Sequence, residues 1–374
     1  MNIGLLKELS PERRVALLPE NVKHLISRKA SVLVEKDAGV ESFASDEAYT
    51  ELGAKVVSRQ EVMEQADLLV QISAPGEDIL KKLKQGQVWV SEYQPLWNQD
   101  LVKSFRSKGL TSFSMDTIPR ITRAQAMDVL SSMATVAGYK AVLDAAMHLS
   151  TFFPMFMTAA GTIRPASVLV LGAGVAGLQA IATARKLGAQ VEAFDVRSAV
   201  KEEVMSLGAR FVEVEGSTED ASAGGYAVEQ TEEYKKRQQE AINQHAIKAN
   251  VLICTAQIPG RKAPLLIPKE VVENMQPGSV IVDLAASSGG NCELTENNKV
   301  ITRHGVTIIG QSGYPSQMPR DASKMFGKNL TNFLDLLITE DGNLNLDFND
   351  EIVKGTCITH QGEIYNERVK SIIE

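Results

Sequence analysis

The chain has 374 residues, which is enough for two domains that each bury a core. Hydrophobic residues make up 44% of it and charged residues 23%, the composition of an ordinary soluble globular protein. The formal net charge of -7 gives no general attraction to nucleic acid or to an anionic membrane surface, and it therefore argues against nucleic-acid binding.

The sequence offers no membrane span and no secretion signal. The stretch that comes nearest to the 18 apolar residues of a span, Ala166 to Ala184, is interrupted by glycines. The opening MNIGLLKE reaches a charge too early for a signal peptide. The three cysteines, at 254, 292 and 357, are odd in number and too far apart for a metal motif. We expect a cytoplasmic chain that does not itself insert into a membrane.

Residues 1 to about 130 alternate strand-like and helix-like segments, the pattern of a parallel α/β sheet. The predicted strands are 2–6, 31–35, 67–72, 88–91 and 110–114, and the predicted helices are 19–28, 45–52 and 60–65. A helical stretch is predicted from 124 to 153, and residues 154–160 are expected to cross a cleft between two domains.

The stretch from Val168 to Asp195 predicts a strand, a turn, a helix and a second strand built around a dinucleotide. An apolar run is followed by the G-x-G-x-x-G spacing of Gly172, Gly174 and Gly177. The first glycine permits a sharp turn, the second lets backbone amides approach a pyrophosphate, and the third lets the helix pack closely on its strand. The phosphates are expected at the N-terminus of that helix.

Asp195 ends the second strand, about 20 residues after the turn, where a carboxylate accepts hydrogen bonds from ribose hydroxyls. Its charge repels a 2′-phosphate, so the sequence favours NAD(H). Arg197 keeps NADP(H) open, although an arginine there more often packs over adenine or points to solvent.

A second α/β series continues through predicted strands at 251–255, 279–284 and 306–309. Residues 325–338 again carry apolar side chains at helical spacing and are expected to return to the first domain. The predicted fold is therefore two Rossmann-like α/β domains with parallel sheets and a cofactor cleft between them. The first comprises 1–130 with 325–374, and the second comprises 131–324.

The segment 213–239 is polar and too long for an ordinary strand-to-helix connection. One interpretation is a disordered surface insertion. The other is a mobile lid, in which Gly224 and Gly225 are hinges and Tyr226 lands on the bound cofactor.

A polar constellation at 119–132 contains two arginines, a glutamine, an aspartate and two serines. With Thr122 as the N-cap, Gln125 would take the capping-box position and would share one helical face with Asp128. Spacing alone leaves a solvated, capped helix as an equal alternative. In the functional interpretation Arg120 pairs with Asp128, and Gln125 orients a nicotinamide carboxamide.

Several segments together carry a family resemblance: PRITRAQAMDVLSS, AGYKAVLDAA, the extended glycine motif MTAAGTIRPASVLVLGAGVAGLQAIATARKLGA, the AGGY loop, TAQIPGRKAP and MQPGSVIVDLAASSGGNCE. They closely resemble the NAD(H)-binding component, domain I, of proton-translocating nicotinamide nucleotide transhydrogenase. The resemblance covers essentially the whole chain, and the 119–132 loop with the AGGY lid is more specific than the glycine motif.

The resemblance implies site residues by position. Around the nicotinamide it implies Arg120, Gln125, Asp128 and Ser131, with Tyr226 on the mobile loop; along the rest of the NAD(H) site it implies Val175, Asp195, Val196, Arg197, Gly225, Gln238 and Gln257. Gln257 stands here in place of the family's usual leucine in the turn TALIPG.

Two other hypotheses remain. Alanine dehydrogenase resembles this chain in the opening strand, in the Arg13 to Leu17 segment and in the glycine turn. That enzyme needs a lysine, a histidine acid/base and an aspartate, where this chain offers Ser73, Gln94 and Ser287. The second alternative is a non-catalytic NAD(H) sensor on the same fold.

Hydride transfer between two nicotinamides needs no side-chain proton acceptor, because the hydride carries its electrons from one ring carbon to the other. It needs positioning and exclusion of water. The family's NADP(H)-binding domain and membrane helices have no counterpart in this sequence. The resemblance therefore implies an NADP(H)-binding subunit and membrane-spanning subunits as partners, a homodimeric state, and a peripheral position on the inner membrane through those partners.

Overall fold

A computed structural model describes residues 1–214, 231–258 and 260–373 of the chain. The chain divides into two compact units. The first joins Met1–Met133 to the residues from Pro315 onward, and the second is Ala134–Tyr314. The boundaries expected from the sequence are 130/131 and 324/325. The second boundary lies earlier because the helix expected at 325 begins at Pro319, where the fixed φ of proline suits the first helical turn.

The strands are β1 Asn2–Leu5, β2 Ser31–Glu35, β3 Lys55–Val57, β4 Leu68–Val70, β5 Val88–Ser91, β6 Thr111–Ser114, β7 Phe156–Thr158, β8 Gly161–Ile163, β9 Ser167–Leu171, β10 Gln190–Phe194, β11 Arg210–Phe211, β12 Val251–Cys254, β13 Val280–Asp283, β14 Val300–Arg303, β15 Val306–Ile309, β16 Cys357–His360 and β17 Glu363–Ile364.

The α-helices are α1 Pro19–Ser27, α2 Asp46–Thr50, α3 Arg59–Gln65, α4 Glu77–Lys82, α5 Gln99–Ser107, α6 Val129–His148, α7 Val175–Lys186, α8 Lys201–Ser206, α9 Glu232–Ala246, α10 Lys269–Asn274, α11 Pro319–Leu337, α12 Glu351–Thr356 and α13 Glu367–Ile373. Within the described ranges, none of these helices is long and apolar enough to cross a membrane.

The first unit is built on an eight-stranded sheet in the order β17-β16-β6-β5-β4-β1-β2-β3. The six N-terminal strands run parallel, and β16 and β17 add an antiparallel edge. The apolar runs of β4 and β5 are buried throughout, as parallel strands covered on both faces require. The strand order reverses beside β1, so the ends of β1 and β4 border the crevice where α/β sheets bind ligands.

The second unit is built on a seven-stranded sheet in the order β11-β10-β9-β12-β13-β15-β14. All its pairs are parallel except β14 with β15. Here the strand order reverses at β9, which lies between β10 and β12. This reversal places the turn after β9 at the crevice of the second sheet.

The helix predicted from 124 to 153 is shorter in the structure. Residues Thr122–Met127 form a 3₁₀ helix, and α6 begins only at Val129. The predicted cap, Thr122, is wrong, because the Asp128 carboxylate accepts the Ser131 backbone N–H at 2.9 Å and the Ser131 hydroxyl at 2.6 Å. An aspartate that satisfies a first-turn amide is a strong helix start, and it displaces the weaker threonine signal upstream.

After α6 the chain forms a small antiparallel hairpin of β7 and β8, of which only β7 lies within the predicted crossing segment 154–160. Its apolar side chains are unusually open to solvent: Met155 is 57% exposed, Phe156 42% and Met157 77%. The Phe152 and Phe156 rings contact each other with centroids 4.6 Å apart. The hairpin therefore presents an apolar surface.

The predicted loop 213–239 extends too far at its C-terminal end. Residues from Glu232 onward belong to α9, which is capped by the Thr231 hydroxyl accepting the Tyr234 N–H at 3.2 Å. Tyr234 is buried, so a tertiary contact fixes this first turn. Gly224, Gly225 and Tyr226, to which the lid was assigned, lie outside the described residues.

Candidate functional site

The turn between β9 and α7 has the backbone that its glycines predict. Gly172 has φ +98°, a conformation in which a side chain would be strained. Its carbonyl oxygen accepts the Thr255 hydroxyl at 3.0 Å, and the same hydroxyl lies 3.1 Å from the Leu171 carbonyl. The end of β12 therefore braces the turn across the sheet.

Gly174 and Gly177 serve this turn in different ways. A Cβ at Gly177 would lie 1.8 Å from the Gly172 carbonyl oxygen, so only glycine lets α7 approach β9 this closely. A Cβ at Gly174 would meet nothing within 4 Å, so open space lies in front of the helix N-terminus. First-turn helix amides have no partner within their own helix and attract anions. The turn fits a pyrophosphate.

Asp195 joins the end of β10 to this turn. Its Oδ2 accepts the Ala173 backbone N–H at 2.8 Å, and its Oδ1 accepts the Arg197 backbone N–H at 2.9 Å. The carboxylate is almost completely buried. Asp195 thus shapes the turn from the position that the sequence predicts for the ribose contact.

Arg197, whose role the sequence left open, pairs with Asp195. Its Nε donates to Oδ1 at 2.8 Å and its Nη2 to Oδ2 at 2.7 Å, the bidentate geometry of a strong charge-assisted pair. These hydrogen bonds raise the pKa of the Arg197 guanidinium. The arginine therefore offsets part of the negative charge on which discrimination against a 2′-phosphate depends.

The other residues of the second unit that the sequence predicts for the NAD(H) site are spread over several elements. Val175 is the first residue of α7 and is 42% exposed beside the turn, while Val196 directly follows Asp195. Gln238 lies on α9. The Nε2 of Gln257 donates to the Leu284 carbonyl at 2.8 Å, so the residue that replaces the family leucine links the loops after β12 and β13.

Sequence reasoning missed the polar group that organises these loops. The buried Asn291 carboxamide accepts the Ala256 N–H at 3.0 Å and donates to the Ala256 and Pro264 carbonyls at 2.9 and 2.8 Å. Asp283 in turn accepts the Asn291 N–H at 2.8 Å. The available sequence signal was Asp283 at the end of an apolar strand, since a buried carboxylate needs hydrogen-bond donors nearby.

The 120–131 segment lies in the first unit. Arg120 and Gln125 are exposed, and Asp128 is engaged by both the amide and the hydroxyl of Ser131. The structure therefore leaves the Gln125 carboxamide open to solvent on a short 3₁₀ helix. Asp128 and Ser131 are brought together.

The first unit also contains a carboxyl cluster at the ends of its central strands. Glu8, after β1, accepts the backbone N–H groups of Ile72 and Ser73 at 2.5 and 3.2 Å, and so joins the ends of β1 and β4. Glu12 accepts the Nε and Nη2 of Arg14 at 2.9 and 2.7 Å. Backbone and arginine donors thus occupy two of its carboxylates.

Glu92, at the end of β5, is the third member of this cluster. It is half-buried, and burial raises its pKa to about 7 against the opposing attraction of Arg14. Repulsion from Asp116 and Glu12 contributes to this rise in the pKa. Burial likewise raises the pKa of Glu8 to about 7, although the amides of Ile72 and Ser73 oppose it.

Two family models match almost the entire chain. "Alanine dehydrogenase/PNT, N-terminal domain" matches residues 4–137, and "Alanine dehydrogenase/PNT, C-terminal domain" matches 141–367. The chain is 46% identical over 374 residues to the first part of the split NAD(P) transhydrogenase subunit alpha of Rhodospirillum rubrum, with 97% of both chains covered. It is 44% identical to NAD(P) transhydrogenase subunit alpha of Haemophilus influenzae, covering 97% of this chain and 71% of that one.

A solved structure is also similar. The transhydrogenase from Sinorhizobium meliloti has 42% sequence identity and a TM-score of 0.89, with 97% of this chain and 100% of that chain covered. The similarity therefore extends through both units, each of which carries some of the predicted site residues.

The raised pKa of Glu92 predicts a pH dependence of stability. Because folding raises this pKa from 4.5 to about 7, the folded chain binds more protons than the unfolded chain between those pH values. The Glu92 contribution to the free energy of unfolding therefore falls as pH rises through this window. Glu92→Gln should stabilise the protein by roughly 1 to 3 kcal/mol at pH 8 and change little at pH 4.5.

Urea unfolding at both pH values measures this difference. Glu61→Gln is the matched control, since Glu61 is an exposed carboxylate with a lowered pKa. Equal effects of Glu92→Gln at pH 4.5 and pH 8 would show that the Glu92 carboxyl titrates normally.

Proposed function

The chain belongs to the alanine dehydrogenase/PNT family, and from that premise we propose that it is the NAD(H)-binding subunit of a proton-translocating NAD(P) transhydrogenase. In this function hydride passes directly between NADH on this chain and NADP⁺ on a partner chain. The observation that carries the proposal is the match to a transhydrogenase subunit over 97% of both chains, in a fold that builds the dinucleotide turn and its acidic partner.

The second unit holds the adenosine and pyrophosphate half of NAD(H). The open space at Gly174 and the first turn of α7 accept the pyrophosphate. Asp195 accepts hydrogen bonds from the ribose hydroxyls while it keeps the Ala173 amide. Val175, Val196, Arg197, Gln238 and Gln257 complete this half in the proposal, with Gly225 from beyond the described residues.

The nicotinamide half falls to the segment 120–131. In the proposal the exposed Gln125 carboxamide pairs with the carboxamide of the ring, and Arg120, Asp128 and Ser131 fix its surroundings. In the proposal Tyr226, which lies outside the described residues, contacts the bound cofactor. The bound nicotinamide supplies the hydride, so the protein's task is to orient the ring and exclude water.

Alanine dehydrogenase activity is the weaker alternative. Such an enzyme binds a substrate carboxylate and moves a proton, but Ser73 and Gln94 stand at two of the positions for its acid/base groups. Arg14 is a cation that could otherwise bind a substrate carboxylate, but its Nε and Nη2 already donate to Glu12. The third hypothesis, an NAD(H) sensor, differs from a transhydrogenase only in the absence of hydride exchange.

The partners follow from the same proposal. The match spans 71% of the alpha subunit of Haemophilus influenzae but 97% of the shorter, split subunit of Rhodospirillum rubrum. Because these relatives are NAD(P) transhydrogenase alpha subunits, the proposal gives this chain NADP(H)-binding and membrane-spanning partners, which hold it on the cytoplasmic side of the membrane.

We propose a homodimer in which a second copy covers the β7–β8 hairpin. Covering exposed apolar side chains is favourable by about 25 cal/mol per Å².

Met157→Asp should shift the chain from dimer to monomer in sedimentation velocity, because Met157 is 77% exposed on the hairpin. Met205→Asp, which changes an exposed methionine on α8, is the control and should stay dimeric. A monomeric wild type would exclude this assembly.

The Asp195–Arg197 pair predicts how cofactor preference can be tuned. NADH should bind at least about tenfold more tightly than NADPH. Asp195→Asn should reduce this difference in affinity because the negative charge is lost. Arg197→Ala should widen it, since an unpaired carboxylate repels the 2′-phosphate more strongly. Fluorescence titration of both cofactors measures these affinities, and equal wild-type affinities would refute the specificity assigned to Asp195.

Reconstitution with the NADP(H)-binding subunit tests the function itself. Wild type should transfer hydride from NADH to NADP⁺ in stopped-flow experiments. Gln125→Asn should retain most NADH affinity, because the pyrophosphate and adenosine contacts lie in the second unit, yet slow the hydride step by about 10²-fold.

Three results separate the hypotheses. NADH binding without any hydride transfer in the wild type would favour the sensor. Alanine oxidation with NAD⁺ above about 1 s⁻¹ would favour alanine dehydrogenase. A wild-type hydride rate in Gln125→Asn would remove this segment from the site while leaving the transhydrogenase function intact.

A further inference from the structure

The 3₁₀ helix that carries Gln125 is held by a pair of asparagines on α11. The Ala126 carbonyl oxygen accepts the Nδ2 of Asn329 at 2.9 Å and the Nδ2 of Asn332 at 2.8 Å. The two asparagines are three residues apart and so share one face of α11. Both lone pairs of this single carbonyl are thereby committed to one helix.

Asn329 makes this contact at a cost to the stability of the fold. It is only 8% exposed, and its Oδ1 has no hydrogen-bond partner within the described part of the chain. A buried polar atom without a partner costs roughly 1 to 3 kcal/mol. An apolar residue at this position would avoid that cost, so stability alone does not account for an asparagine here.

The same short helix is also braced by an ion pair. Arg123 donates from Nη1 and Nη2 to the two Asp350 carboxylate oxygens at 2.7 and 2.8 Å. Asp350 also caps α12 by accepting the Ile352 and Val353 amides. The backbone on either side of Gln125 is therefore tied to the C-terminal part of the chain at two points.

We propose that Asn329 and Asn332 are positioning residues for hydride transfer, which act by fixing the Ala126 carbonyl. This inference rests on the proposed function. Gln125 immediately precedes the fixed carbonyl, and Asp128 follows it by two residues. Without this anchor the backbone of the 3₁₀ helix, and the Gln125 side chain with it, could shift, and hydride transfer tolerates little displacement of the reacting groups.

The test is Asn329→Leu, which keeps the number and branching of the side-chain heavy atoms and removes both the donor and the unpaired acceptor. The variant should unfold at the same or a higher temperature than wild type and bind NADH within about twofold. Its hydride rate with the NADP(H)-binding subunit should fall about tenfold. Lys328→Ala is the matched control, because Lys328 is the exposed neighbour on α11.

A second measurement does not depend on activity. Amide hydrogen exchange of the 120–128 peptide should speed up in Asn329→Leu, and more so in the double variant with Asn332→Leu, which leaves the Ala126 carbonyl without either donor. Lys328→Ala should exchange like wild type. The double variant should also show the larger loss of hydride rate.

The outcomes are distinct. Unchanged hydride rates in the single and double variants would overturn the positioning role. A loss of rate that merely follows a fall in unfolding temperature and NADH affinity would make the asparagines structural, and would overturn it as well. If wild type transfers no hydride, the proposed function fails; exchange of the 120–128 peptide then still reports whether the asparagines hold the segment.

Discussion

The close approach of α7 to β9 is the constraint on which the second unit depends. A Cβ at Gly177 would come within 1.8 Å of the Gly172 carbonyl oxygen, so the absence of a side chain there sets the distance between helix and strand. That distance places the helix N-terminus at the edge of the sheet where the strand order reverses. The open space at Gly174 is useful only because this packing aims the first-turn amides into it.

The charged carboxylate of Asp195 has a structural role at this turn and, in the proposed site, a role in cofactor recognition. The Asp195 carboxylate holds the Ala173 amide and is itself held by the Arg197 fork. An unpaired buried carboxylate would be costly, whereas pairing with an arginine offsets much of that cost. The same ion pair therefore keeps the acidic residue in position, and in the proposed site it moderates the preference between the two nicotinamide dinucleotides.

The sequence predicted those elements whose formation depends on only a few neighbouring residues. The apolar runs of β2 and β5 and the glycine turn with its flanking strands could be predicted because period and turn chemistry act over a few residues. The start of α6 was missed because two capping residues, Thr122 and Asp128, compete, and only the contact with Ser131 decides between them. The asparagine contact to Ala126 spans about 200 residues of sequence, and no local signal encodes it.

The first unit shows why polar side chains near a ligand crevice do not by themselves indicate proton chemistry. Glu8 and Glu92 both have pKa values raised to about 7, which alone would suggest acid/base catalysis. Glu8, however, uses its oxygens to hold the amides that follow β4, and Glu12 uses its own to hold Arg14. Glu8 thereby joins the ends of β1 and β4, and Glu12 fixes the Arg14 side chain. A reaction that moves a hydride between two rings has no proton for them to carry, so the chain can use its acidic residues as structural ties and leave the chemistry to a positioned cofactor.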